Sequence, residues 1–211
     1  MTKPALVIIA KPPVLGQVKT RLAAGIGAEG ALAIYQQMLA IVARTAAAWK
    51  GPVLLSAMHL DGWDGTGLEH LPRQVQPPVD LGGRIAAALR WGLTVAPAAL
   101  AIGTDCPALS PRRLLAVAAG LSHAPLAFGP AEDGGYWAIG ATGTAPLDLI
   151  CAADLPWSTP DLFAATRQRL DDRGWTWHEG PTLADCDDVS DLNAAIANGL
   201  LIWPSTGRPG P

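Results

Sequence analysis

The order of apolar segments along the 211 residues predicts an α/β protein, helices sandwiching a largely parallel sheet. Three observations carry the prediction. Short continuous apolar runs read as strands covered on both faces. Segments with apolar residues at helical spacing lie between them, and the two kinds alternate along the chain.

The first element is the uninterrupted apolar run Ala5–Ala10, closed by Pro12 and Pro13. From about Ala28 to Trp49, Leu32, Tyr35, Leu39 and Val42 recur at the spacing of an amphipathic helix. A second strand follows over 52–56, then a loop rich in Gly and Asp over 61–67. Helical spacing returns over 81–93, with Ile85, Leu89 and Leu93 on one face. A third buried strand runs over 98–103 and ends at Thr104 and Asp105. Ser110 and Pro111 open another helix, Ser as N-cap and Pro at the first helical position. Strands over 126–129 and 136–140 flank Glu132-Asp133-Gly134-Gly135. Thr159 and Pro160 start a helix by the same capping logic, 175–178 reads as a short strand, and 190–198 is a last helix capped by Ser190 or Asp191. The chain thus predicts one domain over 1–203 and a disordered tail over 204–211, rich in Pro and Gly.

Composition narrows the function classes. Half the residues are apolar and only 16% are charged, which excludes a disordered chain. A net charge of -3 gives no support for broad binding to nucleic acid or anionic lipid, so anion binding must come from a local cluster of cations. The apolar opening is short for a signal sequence and is followed by Lys11, and no apolar run approaches the roughly 18 residues that cross a bilayer. Cys106, Cys151 and Cys186 are far apart and lack metal-type spacing. The expectation is a cytoplasmic protein with reduced thiols and no membrane or nucleic-acid partner.

In an α/β sheet ligands bind outside the carboxyl ends of the strands, which singles out four segments. The first, Lys11 to Arg21, places Lys11, Lys19 and Arg21 in a loop that feeds a helix start, with Gly16 permitting a tight turn. Backbone donors and the helix dipole there favour anions, although an exposed basic loop is an equal reading. The segment is neither a P-loop nor a dinucleotide fingerprint. The second holds Asp105 at the end of a buried strand, where a carboxylate is costly unless solvated, paired or bound to metal. Magnesium prefers oxygen ligands and takes one or two carboxylates with phosphate oxygens, so Asp105 is a candidate ligand. In the third, Glu132 and Asp133 are placed to bind metal, hold sugar hydroxyls or act as a base, and Gly134 and Gly135 let backbone approach a ligand. An ordinary Asp-Gly hairpin turn is the competing reading. The fourth, Asp185-Cys186-Asp187-Asp188, gathers carboxylates that repel unless a cation or solvent intervenes. Asp185 and Asp187 are free to be a second metal ligand, against the reading of a solvated acidic turn. Trp157 is suited either to stack on a base or sugar or to fill the core. The four histidines (His59, His70, His123, His178) form no metal or triad pattern, and no Gly-x-Ser-x-Gly elbow occurs.

Six pieces in order resemble the glycosyltransferase-A-like family that includes the arsenosugar-biosynthesis glycosyltransferases (domain of unknown function family 2064). Its relatives are the guanylyltransferases of 2-phospholactate and of molybdenum cofactor. The pieces are Gly16-Gln-Val-Lys-Thr-Arg-Leu22, Asp80-Leu-Gly-Gly-Arg84, Gly103-Thr-Asp-Cys-Pro107, Gly129-Pro-Ala-Glu-Asp-Gly-Gly-Tyr136, Pro156-Trp-Ser-Thr159 and Asp185-Cys-Asp187. The resemblance implies a nucleotide-diphospho-sugar transferase (GT-A) fold, a three-layer α/β/α sandwich with one reversed strand. It implies that Lys11, Lys19 and Arg21 face the nucleotide phosphates, that Asp80 and Arg84 line the nucleotide pocket with Gly16, Gly134 and Gly135, and that Asp105 holds Mg2+ or Mn2+ with Asp187 as distant partner. Lys19, Arg21 and Asp133 are then the catalytic candidates. Val79 replaces a usual Gly and Asp188 a usual Thr.

The implied function is glycosyl transfer from a nucleotide-diphospho-sugar to a small-molecule acceptor. Nucleotidyl transfer with release of pyrophosphate is the alternative, and a nucleotide-binding module without turnover is a third. Glycosyl transfer is preferred because the first segment lacks the Gly-Gly and downstream Arg-Met of nucleotidyltransferases. The base, sugar and acceptor stay open, as does a homodimer.

Overall fold

The structure, a computed structural model, describes residues 3–204. Its elements are β1 (Ala5–Ala10), α1 (Thr20–Ala48), β2 (Val53–Ala57), β3 (Arg73–Val75), α2 (Leu81–Leu93), β4 (Ala98–Ile102), α3 (Pro111–Gly120), β5 (Leu126–Pro130), β6 (Tyr136–Thr142), α4 (Leu147–Ile150), α5 (Leu162–Asp171), β7 (Trp177–Glu179) and α6 (Val189–Ala197). They build a seven-stranded sheet in the order β3-β2-β1-β4-β6-β5-β7. Every pairing is parallel except those of β6 with β4 and with β5, so β6 is the one reversed strand. The expected α/β/α sandwich is what forms.

Alternation along the buried strands sends side chains to two cores. Leu6 and Ile8 of β1 and Leu100 and Ile102 of β4 meet Leu39 of α1, Leu114 of α3 and Leu192 of α6 on one face. Val7, Ala99 and Ala101 meet Ile85 and Leu89 of α2 and Phe163 and Leu170 of α5 on the other. Because both faces are covered, the strands read as continuous apolar runs rather than as alternating ones.

Several elements differ from the sequence-based expectation, each for a local reason. α1 begins at Thr20, eight residues early, because the chain is helical on both sides of Gly27, where φ 78 and ψ 162 make a kink. Leu22 and Ile26 are buried by that first segment. By length and apolar composition α1 is also long enough to cross a membrane, but half of its most apolar window is buried inside the domain. The short β3 and α4 are additions to the expected elements. α5 starts at Leu162 rather than at Thr159-Pro160, since Thr159 Oγ1 accepts from Asp161 N and Phe163 N donates to the Gly134 carbonyl at 2.9 Å. α6 is capped by Asp188, not by Ser190 or Asp191: Asp188 Oδ1 accepts from Asp191 N, and Asp191 Oδ2 accepts from Asp188 N. This reciprocal capping box needs an oxygen-bearing side chain at 188, a role Thr also fills. Ser110 and Pro111 begin α3 as expected. Of the expected tail, Pro204 is buried and 205–211 lie outside the described residues.

Candidate functional site

A cavity of about 670 Å³ opens along the carboxyl edge of β1 and β4 and the start of β6. Lys11, Lys19, Arg21, Arg84, Asp105, Asp133, Gly135 and Asp187 line it together. Five stretches far apart in the chain therefore converge. The cavity also takes in residues from the two faces of the sheet. The charged Lys19, Asp105 and Asp187 line it together with Ile85, Ile139, Tyr136 and Trp157.

Lys19 is the hub of the charged group. It stands at the N-cap position of α1 with φ 47 and ψ 47, a left-handed conformation uncommon for a residue with a Cβ. Its ammonium contacts Asp105 Oδ1 and lies 2.9 Å from Asp187 Oδ1, while Arg21 pairs with Asp187 Oδ2. Burial opposes the charge on Lys19, but Asp105 and Asp187 outweigh it and raise its pKa. The backbone joins the two acidic segments as well, since Cys186 N donates to the Asp105 carbonyl at 2.9 Å. Ser158 is the second non-glycine residue with positive φ among the described residues, and it too lines the cavity. Strained backbone of this kind gathers at functional sites.

Asp185 sits beside this cluster. Its Oδ1 accepts from Cys106 Sγ at 3.0 Å. Burial pushes the Asp185 carboxyl up to about 6, with Asp133, Asp105 and Asp187 adding to the rise and the thiol bond opposing it. Burial likewise pushes the Cys106 thiol far above its ordinary value, so it serves as a neutral donor rather than a nucleophile. Tyr35, on the inner face of α1, donates to the Lys11 carbonyl at 2.8 Å, and burial raises its hydroxyl to about 12. The Gln76 amide bridges the carbonyls of Ala10 and Ser56, tying the ends of β1 and β2 together at the cavity wall.

Four expected residues are placed apart from the cavity lining. Asp80 caps α2, accepting from Gly83 N at 2.7 Å. Gly16 forms an exposed turn with φ 75 and open space around it. Gly134, with φ 87, is needed by packing: a Cβ there would sit 1.9 Å from the Pro160 carbonyl oxygen. Glu132 is exposed and outside the lining, leaving Asp133 as the acid of that segment in the cavity, its Oδ1 accepting from Gly135 N at 2.9 Å. β5, the 131–135 turn and β6 form an antiparallel hairpin, so the hairpin reading and the site reading describe the same residues. Trp157 lines the cavity while packing on Gly82 and lying edge-on to Tyr136 at 6.3 Å between ring centroids. Among the described residues the buried Tyr136 hydroxyl has no hydrogen-bond partner.

The acids test whether a metal fits. Among the described residues no three His, Cys, Asp or Glu side chains converge as a ready metal cage. Magnesium does not need one, because substrate phosphates and water complete its shell around one or two carboxylates. Asp105 and Asp187, hard oxygen donors bridged by an ammonium, are such a pair. Asp185 lies beside this pair, its carboxyl raised to about 6 first by burial and then by the charges of Asp133, Asp105 and Asp187.

Comparison with known proteins adds the lineage. Residues 38–172, well over half of the chain, match the family described as "Uncharacterized protein conserved in bacteria (DUF2064)". The chain belongs to this family. Among solved structures, a "putative nucleotide-diphospho-sugar transferase" from Desulfovibrio desulfuricans G20 superposes with a TM-score of 0.85 at 23% identity, over 94% of this chain and 88% of the other. The 4-diphosphocytidyl-2C-methyl-D-erythritol synthase of Anaerococcus prevotii aligns at TM-score 0.55 and 12% identity, over 94% of this chain and 99% of the other. A nucleotidyl transferase from Methanothermobacter thermautotrophicus gives 0.54 and 15%, over 93% and 97%. No curated protein matches. At these identities the likeness establishes the fold, which is the nucleotide-diphospho-sugar transferase fold expected from the motifs.

Proposed function

We propose that this DUF2064 protein is a metal-dependent transferase that uses a nucleotide-activated donor, with glycosyl transfer from a nucleotide-diphospho-sugar as its reaction. The observation that carries the reading is the meeting of Lys19, Asp105 and Asp187 at the carboxyl edge of the sheet, in a cavity of ligand size. Lys11, Arg21 and Arg84 line the same cavity and supply cations for a diphosphate. Asp105 and Asp187 are the residues to hold Mg2+ or Mn2+, which when bound supplies neutralisation of the departing diphosphate.

In this scheme the acceptor hydroxyl oxygen bonds to the anomeric carbon of the sugar as the bond from that carbon to the diphosphate oxygen breaks. The nucleoside diphosphate leaves, its charge held by Lys19 and Arg21. The acceptor proton passes to Asp133 Oδ2, the oxygen left over when Oδ1 accepts from Gly135 N. Trp157 and Tyr136 line the same cavity and offer it aromatic surface.

Nucleotidyl transfer, the chemistry named for the Methanothermobacter neighbour, is the second reading. What favours glycosyl transfer is that Gly16 lies outside the lining, so no glycine of the first loop offers backbone to a triphosphate. Incubating the protein with nucleotide sugars or nucleoside triphosphates and separating the products decides between them. Nucleoside diphosphate release supports the proposal, pyrophosphate release supports the second reading, and tight binding without either product indicates a module without turnover.

A further inference from the structure

Lys19 occupies the place that an ion shared by Asp105 and Asp187 must take. Its ammonium engages Oδ1 of both carboxylates, and Arg21 engages the remaining oxygen of Asp187. Three of the four oxygens of the pair are therefore held by cationic side chains. The two cations are not equivalent. Arg21 is 76% exposed and can swing into water, whereas the Lys19 side chain is only 5% exposed and is held from a left-handed backbone position.

We propose that Lys19 is a resident counter-ion that keeps bare metal out of the Asp105–Asp187 pair and yields the pair only when the metal arrives with the phosphates of a nucleotide. This rests on the reading of Asp105 and Asp187 as metal ligands. A bare divalent ion entering the pair has to evict a buried ammonium and leave it, partnerless, a few ångströms from a double positive charge. Both the lost partners and the repulsion oppose that exchange. Phosphate oxygens arriving with the metal change the balance, because they give the displaced ammonium a new anion and offset the metal's charge. Metal and nucleotide then bind cooperatively, each raising the affinity for the other by the same factor, with Lys19 as the residue that couples them. Lys19 is in this sense a positioning residue for the metal as well as a phosphate ligand.

The test is titration of the full chain with Mn2+ alone, reading free Mn2+ by its paramagnetic resonance, in wild type, Lys19→Gln and Lys19→Arg. Removing one positive charge beside a divalent ion is worth at least about tenfold in affinity even under strong screening. Lys19→Gln is expected to bind Mn2+ at least about tenfold more tightly than wild type, and Lys19→Arg, which keeps the charge, to stay near wild type. Adding Asp105→Asn to Lys19→Gln is expected to abolish the gain. Equal Mn2+ affinity in wild type and Lys19→Gln overturns the proposal while leaving the metal reading standing, as does a gain that survives Asp105→Asn. A gain of the same size in Lys19→Arg also overturns it. Absence of Mn2+ binding in every variant removes the metal reading and this proposal together. Should Lys19→Gln fail to fold, acylation of Lys19 by an amine-reactive ester, followed by mass spectrometry in the unaltered protein, gives the same answer. Saturating Mn2+ is expected to raise labelling of Lys19 several-fold, and unchanged labelling overturns the proposal.

Discussion

Replacing Asp185 by Asn should make the protein more stable at neutral pH and leave it unchanged in acid. The Asp185 carboxyl is raised from 3.8 to about 6, first by burial and then by the charges of Asp133, Asp105 and Asp187. The folded state thus holds the Asp185 proton more tightly than the unfolded chain does. The sign follows from linkage: the stabilisation is complete below about pH 4 and is lost as pH rises through about 6. A shift of about two units corresponds to about 3 kcal/mol, which partial exposure reduces to about 1–2 kcal/mol. Asn keeps an oxygen to accept from Cys106 and carries no charge, so it escapes the penalty. For a domain of this size the gain at pH 7 is a rise in Tm of roughly 2–8 °C, shrinking to nothing near pH 4. Thermal unfolding of both proteins across about pH 4–8, without metal, measures it. A difference independent of pH, or an Asn variant less stable at pH 7, would refute the reasoning.

Other substitutions probe separate parts of the account. Asp105→Ala should leave the fold intact, since that side chain is half exposed and Lys19 keeps Asp187, yet remove the metal-dependent part of nucleotide stabilisation; melting curves with nucleotide, with and without Mg2+, read both. Gly134→Ala should cost more than about 2 kcal/mol, because a Cβ there meets the Pro160 carbonyl at a φ of 87, and the displaced 157–162 wall should weaken nucleotide binding too; urea unfolding and a binding titration measure the two losses. Asp188→Ala should lower stability by about 1 kcal/mol through the lost cap of α6 while Asp188→Thr restores it, and calorimetry of the two variants measures both.

Much of this architecture was legible in the sequence. Continuous apolar runs marked β1 and β4, helical spacing marked α2 to the residue, and Ser110-Pro111 marked the start of α3. What escaped was decided by tertiary contacts. The first turns of α1 were hidden because Gly25 and Gly27 break the local pattern, although Leu22 and Ile26 carried the signal four residues apart. β3, three residues long and at the sheet edge, has no periodicity to read and forms through its pairing with β2. At the site, Lys11, Lys19, Arg21, Asp105, Asp133, Gly135 and Asp187 were nameable from their place after strands and Arg84 from the family resemblance, and the fold brings them into one cavity. Asp80 caps α2 and Gly134 packs on Pro160, local roles that use the same residue types as binding loops and that sequence alone does not separate from them. The Cys106–Asp185 bond and the Gln76 bridge span 79 and 20 or more residues of chain and leave no local trace.

On the proposed reading the cavity takes a nucleotide through a metal. Thermal melting of the protein against a panel of nucleotide-diphospho-sugars, nucleoside diphosphates and triphosphates, with and without Mg2+ or Mn2+, tests it most directly. The account predicts that one nucleotide-diphospho-sugar together with metal raises Tm by roughly 5–10 °C at a hundredfold excess over its Kd, and that either component alone does much less. A melting temperature unmoved by every nucleotide, with metal or without, would contradict it.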